Sequence, residues 1–193
     1  ISACLVGSEM CIRDRMESLI NDLLILTRIE LDEHIRPTSI VNINELFETI
    51  ISNFEIVLKK KNITVKNQFT DTSNVVGDEK RLNTVFSNLL DNSIKYSPEN
   101  KNIYISKNEN SNKLLEKNIM ISIKDEGYGI PHEHISRVTE RFYRVDTEQS
   151  KKVGGTGLGL AIVKHIITQH RGDFEILSEV GKGTEIKIYL PSK

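Results

Sequence analysis

The 193-residue chain carries 26 Lys and Arg against 27 Asp and Glu, a formal net charge of −1, so no electrostatic pull toward nucleic acid or an anionic membrane surface is expected. With 38% hydrophobic and 27% charged residues it is of ordinary globular composition, long enough to bury about 70% of its unfolded surface without a disulfide or metal to hold it. No run of about 18 apolar residues could span a bilayer; the only cysteines, Cys4 and Cys11, support neither a zinc site nor a disulfide framework, and a reducing compartment is the default.

Residues 1–15 show neither helical nor strand periodicity and hold both cysteines; they read as a non-native or disordered segment and are set apart from the fold. From Met16 the pattern becomes Met16, Leu19, Ile20, Leu23, Leu24, Leu26, Ile29, the three-and-four spacing of a wide apolar stripe on a helix. That helix must end before Pro37. The stripe packs either on its own domain or on a second helix of another molecule, which makes a homodimer through Met16 to Ile29 one expectation. Residues 37–193 then read as one domain. Ser39 to Val41 reads as a short strand, and Asn42 with Glu45 starts a helix through about Lys60. A strand follows over Asn62 to Phe69, and Asp78 caps a long helix to about Tyr96, stopped by Ser97-Pro98. Two strands, Asn102 to Lys107 and Lys117 to Asp125, flank a polar loop. Residues 126–156 are irregular apart from a short helix near His132 to Phe142. A helix over Gly157 to His170 and strands over Asp173 to Ser178 and Thr184 to Leu190 complete the chain. The order predicts an α+β two-layer sandwich, with helices on one face of a mixed, mostly antiparallel sheet.

Nine of the eleven glycines fall between Gly127 and Gly183. Gly154-Gly155-Thr156-Gly157-Leu158-Gly159-Leu160 runs straight into an apolar helix, so its backbone amides converge on a helix N-terminus, a geometry that suits phosphate; a flexible loop followed by a cap is the alternative. No Gly-Lys-Ser/Thr closes it as in a P-loop, and no strand precedes it as in a dinucleotide fold. On the long helix, at about 100° per residue, Asn88, Asn92 and Lys95 share one narrow arc. Two amide oxygens one turn apart suit a hard cation such as Mg²⁺ that takes its remaining ligands from water and substrate phosphates, with Lys95 adding a point charge for those phosphates; a solvated helix face is the plainer alternative. Asp125, at the end of an isoleucine-rich strand, is an acceptor placed to take a hydrogen bond from the amino group of adenine, with Gly127 and Gly129 leaving room for a flat ring; alone, Asp-x-Gly-x-Gly also passes for a turn. Gly181-Lys182-Gly183-Thr184 likewise passes for a hairpin turn.

Taken in order, these motifs resemble the N, G1, F and G2 boxes of the catalytic and ATP-binding domain of sensor histidine kinases, within the gyrase, heat-shock chaperone, histidine kinase and mismatch-repair ATPase superfamily. The N box is Asn88 to Tyr96, G1 is Asp125 to Ile130, the F box is Glu140 to Asp146, G2 is Gly154 to Leu160, and Gly181 to Thr184 fits the closing motif. The resemblance implies a Bergerat ATP-binding fold over residues 37–193. In such a site Asn88 and Asn92 hold Mg²⁺, Lys95 contacts phosphate, Tyr96 lies against the nucleotide, and Asp125 reads adenine. It also places Gly127, Gly129, Ile130, Gly155, Thr156, Gly157, Leu158, Gly159, Leu160 and Thr184 around ATP, together with Arg141, Phe142, Tyr143 and Arg144 of a mobile lid spanning Gly127 to Thr156, lid residues that also help dock the domain for transfer.

Met16 to Glu30 resembles the second helix of the dimerisation and phosphoacceptor hairpin, assigned to residues 16–36. None of the five histidines has the setting of an acceptor, so the resemblance implies transfer of the ATP γ-phosphate to a histidine on a separate acceptor hairpin, then to a response-regulator aspartate. The location implied is cytoplasmic, as a free protein or as the cytoplasmic part of a membrane-anchored sensor. Ser93 stands where the family usually carries alanine, and Thr139 where the lid helix usually carries a large apolar residue. A nucleotide-responsive regulator or an anti-sigma-type serine kinase on the same fold is the alternative. A hydrolysing ATPase would carry a glutamate in the N box where this chain has asparagines.

Overall fold

A computed structural model describes residues 2–32, 36–69, 74–110, 118–145 and 155–191. Helix α1 (Ser2–Leu31) leads into strand β1 (Ile40–Asn42), helices α2 (Ile43–Asn53) and α3 (Glu55–Lys61), and strands β2 (Thr64–Asn67) and β3 (Asn74–Val76). Helix α4 (Glu79–Tyr96), strands β4 (Asn102–Asn110) and β5 (Asn118–Asp125), the single turn α5 (His132–Ile135), helix α6 (Gly159–Gln169) and strands β6 (Asp173–Glu179) and β7 (Gly183–Pro191) follow.

The main sheet runs β2-β4-β5-β7-β6, antiparallel throughout except for the parallel β2–β4 pair, and β1 pairs with β3 in a separate two-stranded ladder. Strand alternation puts Ile103, Ile105, Ile119, Ile121, Ile123, Ile186, Ile188 and Leu190 on one buried face, as a period of two requires when only one side is covered. Helices α2, α4 and α6 cover it. Helix α4 contributes Leu82, Val85, Phe86, Leu89, Leu90 and Ile94, each stabilising by about 1.5–3 kcal/mol through burial, and Phe86 meets Phe47 of α2 with ring centroids 4.6 Å apart. The expected two-layer sandwich with a mixed, mostly antiparallel sheet is the fold.

Several elements differ from their sequence boundaries. The helix expected from Asn42 to Lys60 is two helices, bent at Phe54 (φ −95°, ψ 1°), whose N–H bonds to the last carbonyls of α2. The bend lets Leu58 regain the core after the stripe Ile43, Leu46, Phe47, Ile50, while Ile56 and Val57 stay exposed. Strand β4 continues through Asn110, paired with Asn118. The expected helix from His132 to Phe142 contracts to one turn. Asp78 caps α4 as expected, its side chain accepting from the Arg81 N–H.

Helix α1 is helical from Ser2, where the apolar pattern predicted no element before Met16. Residues 2–15 contain no proline, and a helix already nucleated downstream propagates at little cost. Its docked part buries Leu26 and Ile29 in the core, whereas Met16, Ile20, Leu24 and Leu31 remain more than half exposed. Among the described residues no helix is long and apolar enough to cross a membrane.

Candidate functional site

The site lies where α4, the end of β5 and the start of α6 meet. Asn88 donates its Nδ2 to the Thr84 carbonyl one turn back (2.9 Å), which fixes the amide and leaves Oδ1 as its acceptor. Gly159, the first residue of α6, approaches that oxygen so closely that a Cβ there would lie 2.9 Å from Asn88 Oδ1 and 4.0 Å from Asn92 Nδ2. The glycine run and the two asparagines, 67 residues apart between Asn92 and Gly159 in the numbering, thus face one another across a gap kept open by a missing side chain. This is a cradle suited to a cation shared with phosphate oxygens: a fixed neutral amide oxygen, a second amide one turn on, and bare backbone opposite.

Asp125 is 7% exposed at the end of β5, and its Oδ1 accepts the N–H groups of Gly127 (2.9 Å) and Thr184 (3.1 Å). Burial pushes its carboxyl above the ordinary value, while the two amides and the Ser93 hydroxyl favour the charged form. Gly183 (φ +105°) allows the β6–β7 turn to close on this strand end, since a Cβ there would sit 2.0 Å from the Asp125 carbonyl oxygen. Gly127 and Tyr96 are adjacent: the Tyr128 N–H bonds to the Tyr96 carbonyl at 3.2 Å. Ile130 donates its N–H to Ser178 Oγ (2.8 Å), which also meets Thr184 Oγ1 (2.8 Å). The G1 turn and the closing motif therefore form one rigid unit around Asp125. Gly129 (φ +74°) lies within it.

Lys95 shares the Asn88–Asn92 arc but pairs with Asp91 of its own helix. Arg141 pairs with Glu30 of α1 and lies 3.3 Å from His165 Nε2. Phe142 is 56% exposed and takes a left-handed φ of 64°, its N–H bonded to the Gly157 carbonyl (3.0 Å). Tyr143 bonds to His134 Nδ1 (2.6 Å) under the Arg137 guanidinium, and Arg144 donates to the Gly155 carbonyl (3.2 Å). Thr156 Oγ1 accepts the Leu158 N–H (3.2 Å) and donates to Asp22 of α1 (2.6 Å). Leu158, fully buried, seats the start of α6, and Leu160 packs at the edge of the core. The structure therefore gathers Asn88, Asn92, Tyr96, Asp125 and the run Gly155 to Gly159 around one region, and holds Lys95 and Arg141 on other partners. Asp146 and Gly154, expected at the ends of the F and G2 boxes, lie outside the described residues.

Two residues that support the site carried no sequence signal. Lys61 of α3 donates its ammonium to the carbonyls of Ile94 (2.6 Å), Lys95 (3.2 Å) and Ser97 (3.0 Å), satisfying the C-terminal end of α4 just beyond the asparagines; burial lowers its pKa. His170, 4% exposed, accepts the Asp78 N–H at Nε2 (3.0 Å) and meets the Ile166 carbonyl through Nδ1 (2.8 Å), tying the end of α6 to the start of α4.

Comparison with known proteins identifies the family. Residues 77–193 match the model of the family described as Histidine kinase-, DNA gyrase B-, and HSP90-like ATPase. The sensor histidine kinase WalK of Bacillus subtilis is 37% identical over 180 residues, covering 93% of this chain and 29% of WalK. The phosphate regulon sensor protein PhoR of Pseudomonas aeruginosa is 36% identical over 170 residues, covering 88% and 37% respectively, so the chain spans about a third of the length of these relatives. Among solved structures, a mycobacterial sensor histidine kinase MprB matches with a TM-score of 0.67 at 29% identity, over 80% of this chain and 99% of that one. The Acinetobacter baumannii histidine kinase AdeS matches with a TM-score of 0.76 at 25% identity, over 98% and 85%. With its family model covering the whole of the site, the chain belongs to the histidine kinase-, DNA gyrase B- and HSP90-like ATPases.

Proposed function

We propose that this chain is the ATP-binding catalytic module of a two-component sensor histidine kinase, which positions Mg-ATP so that the γ-phosphate passes to a histidine on an acceptor hairpin and from there to a response-regulator aspartate. The observation that carries this reading is the approach of Gly159 to Asn88 and Asn92, because it brings the phosphate-suited helix start and the metal-suited amides to one place. In this reading residues 16–36 belong to the dimerisation hairpin and 37–193 to the catalytic domain, and the exposed stripe of α1 pairs with another hairpin helix.

Asp125 accepts from the adenine amino group, with the Gly127 and Thr184 amides holding its Oδ1 in place. Tyr96, Gly127, Gly129, Ile130 and Thr184 wall the base. Asn88 and Asn92 would hold Mg²⁺, which when bound would supply neutralisation of the triphosphate charge. Amides from Gly155 to Leu160 cradle the phosphates, Lys95 and the lid cations Arg141 and Arg144 come to them on closure, and Phe142 and Tyr143 dock the lid. Phosphoryl transfer asks for positioning and electrostatic stabilisation more than covalent chemistry, which suits a site made of amides. The asparagine at position 88, rather than a carboxylate that would activate water, favours transfer to a side chain over hydrolysis.

The test is to mix the chain with a separately produced acceptor hairpin and γ-labelled ATP. Label on a hairpin histidine supports the reading. Label appearing on a serine of another protein, or ATP consumed with release of free phosphate only, overturns it.

A further inference from the structure

Two acidic residues of α1 and a third in the turn that ends it, Asp32, reach the rest of the molecule, and they grip different things. Asp32 pairs with Arg81 at the start of α4, and its carbonyl accepts Gln169 Nε2 (2.5 Å) from the end of α6; with the buried Leu26 and Ile29 this anchors the C-terminal end of the helix. Asp22 and Glu30 instead grip the site. Asp22 Oδ2 takes the Thr156 hydroxyl at 2.6 Å, and Glu30 takes the Arg141 guanidinium.

A threonine hydroxyl has a single proton to donate. That of Thr156 is committed to a carboxylate oxygen, while its lone pair accepts the Leu158 N–H at the head of α6. An anionic oxygen on that hydroxyl is the contact a phosphate would make, so a phosphate oxygen and Asp22 compete for the same proton. The Asp22 charge would also stand beside the incoming triphosphate, where like charges repel. Glu30, eight residues and about 12 Å further along the helix, holds in the same way a guanidinium that phosphate could otherwise recruit.

Resting on the assignment of Gly155 to Leu160 as the phosphate-binding run, we propose that α1 is a built-in competitor of the nucleotide: Asp22 and Glu30 occupy Thr156 and Arg141, so that α1 docking and triphosphate binding oppose each other. The coupling is reciprocal. Triphosphate loosens the middle of α1 from the glycine run while the Asp32 anchor keeps the helix attached, and whatever pulls α1 away raises nucleotide affinity.

The experiment is isothermal titration of the whole chain with a magnesium-loaded, non-hydrolysable ATP analogue and, separately, with adenosine. Asp22→Ala and the isosteric Asp22→Asn are compared with the unaltered chain, and Glu17→Ala serves as a control for an exposed carboxylate on the same helix. Asp22→Ala is expected to bind the analogue on the order of tenfold more tightly, Asp22→Asn with part of that gain, and Glu17→Ala as the unaltered chain does, with adenosine affinity the same in all four. Equal affinity of the analogue for all four overturns the competition while leaving the ATP site intact. An equal gain for adenosine also overturns it, because adenosine has no phosphate to compete. Failure of every chain to bind either ligand overturns the ATP site itself, and the competition with it.

Discussion

Replacing Gly159 with alanine separates the folding of the α4–α6 junction from its proposed work. Gly159 is helical and its φ is not positive, so alanine fits the backbone and is intrinsically the better helix former by up to about 1 kcal/mol in a helix interior. Its new methyl, however, would stand 2.9 Å from Asn88 Oδ1. Relief has to come from Asn88, whose Nδ2 is held by the Thr84 carbonyl, and its Oδ1 must swing out of the cradle or be covered. The two folding effects oppose each other, and the melting midpoint should move by no more than the equivalent of about 1 kcal/mol. Binding should suffer far more: one contact to a charged group is worth about 1.5–3 kcal/mol, so the affinity for a magnesium-loaded ATP analogue should fall on the order of 10- to 100-fold. Calorimetric titration beside a thermal melt reads both. If Gly159→Ala folds normally and binds the analogue as the unaltered chain does, Asn88 and the glycine run do not share a ligand.

Asp125→Asn keeps the shape but exchanges an acceptor for a donor on the side facing the base. Adenine nucleotides should bind on the order of tenfold more weakly or worse, with little loss of thermal stability because a buried charge is removed; titration with ADP and a melt decide it. Burial lowers the His170 pKa below the ordinary 6.5, with the Ile166 carbonyl and Asp78 opposing the shift and Arg81 adding to it. A lowered histidine pKa means that the unfolded chain takes up the proton first as pH falls. This group's contribution is therefore complete above pH 7 and is lost as pH drops through 6.5, with a slope of up to about 1.4 kcal/mol per unit. Urea midpoints from pH 8 to 5.5 should fall less steeply in His170→Gln than in the unaltered chain, and equal slopes refute the assignment. Lys61→Met leaves the Ile94, Lys95 and Ser97 carbonyls without their ammonium and should cost about 1–3 kcal/mol in denaturant unfolding.

Much of the candidate site is legible in the sequence because the fold builds it from local signals. Asp78 is a strong N-cap, Asn88 and Asn92 share an arc by helical geometry alone, and the glycines before Ala161 mark the start of α6. What stays hidden depends on contacts distant in sequence. Lys61 lies 33 positions before the Ile94 carbonyl it caps and looks like one more residue in the run Lys59-Lys60-Lys61. His170 follows a helix without any motif, and only the return of α6 onto α4 shows that its ring replaces an ordinary cap on the Asp78 amide. The bend at Phe54 is hidden because neither proline nor glycine marks it; it arises where the buried stripe of α2 runs out and Leu58 has to find the core again. Nor does periodicity show that one side of α1 is spent on its own domain: Leu26 and Ile29 belong to the same stripe as Met16, Ile20 and Leu24, yet only the first two are buried.

On the proposed reading, the charges around the site mean that triphosphate recognition would require rearrangement. The groups fixed most firmly are the Asn88 amide held by its own helix, the bare peptide groups near Gly159, and the Asp125 carboxylate held by two amides. The cations suited to a triphosphate are engaged elsewhere, Lys95 with Asp91, Arg141 with Glu30 and Arg144 with the Gly155 carbonyl. A site preloaded with unpaired cations would pay repulsion among them and hold any polyphosphate indiscriminately. With each cation stored on an internal partner, a triphosphate bound as proposed would have to exchange those partners one by one, so the energy of phosphate recognition would go into moving the lid residues and α1. On the same reading adenine, recognised by a carboxylate that does not have to move, would set which nucleotide is given that chance.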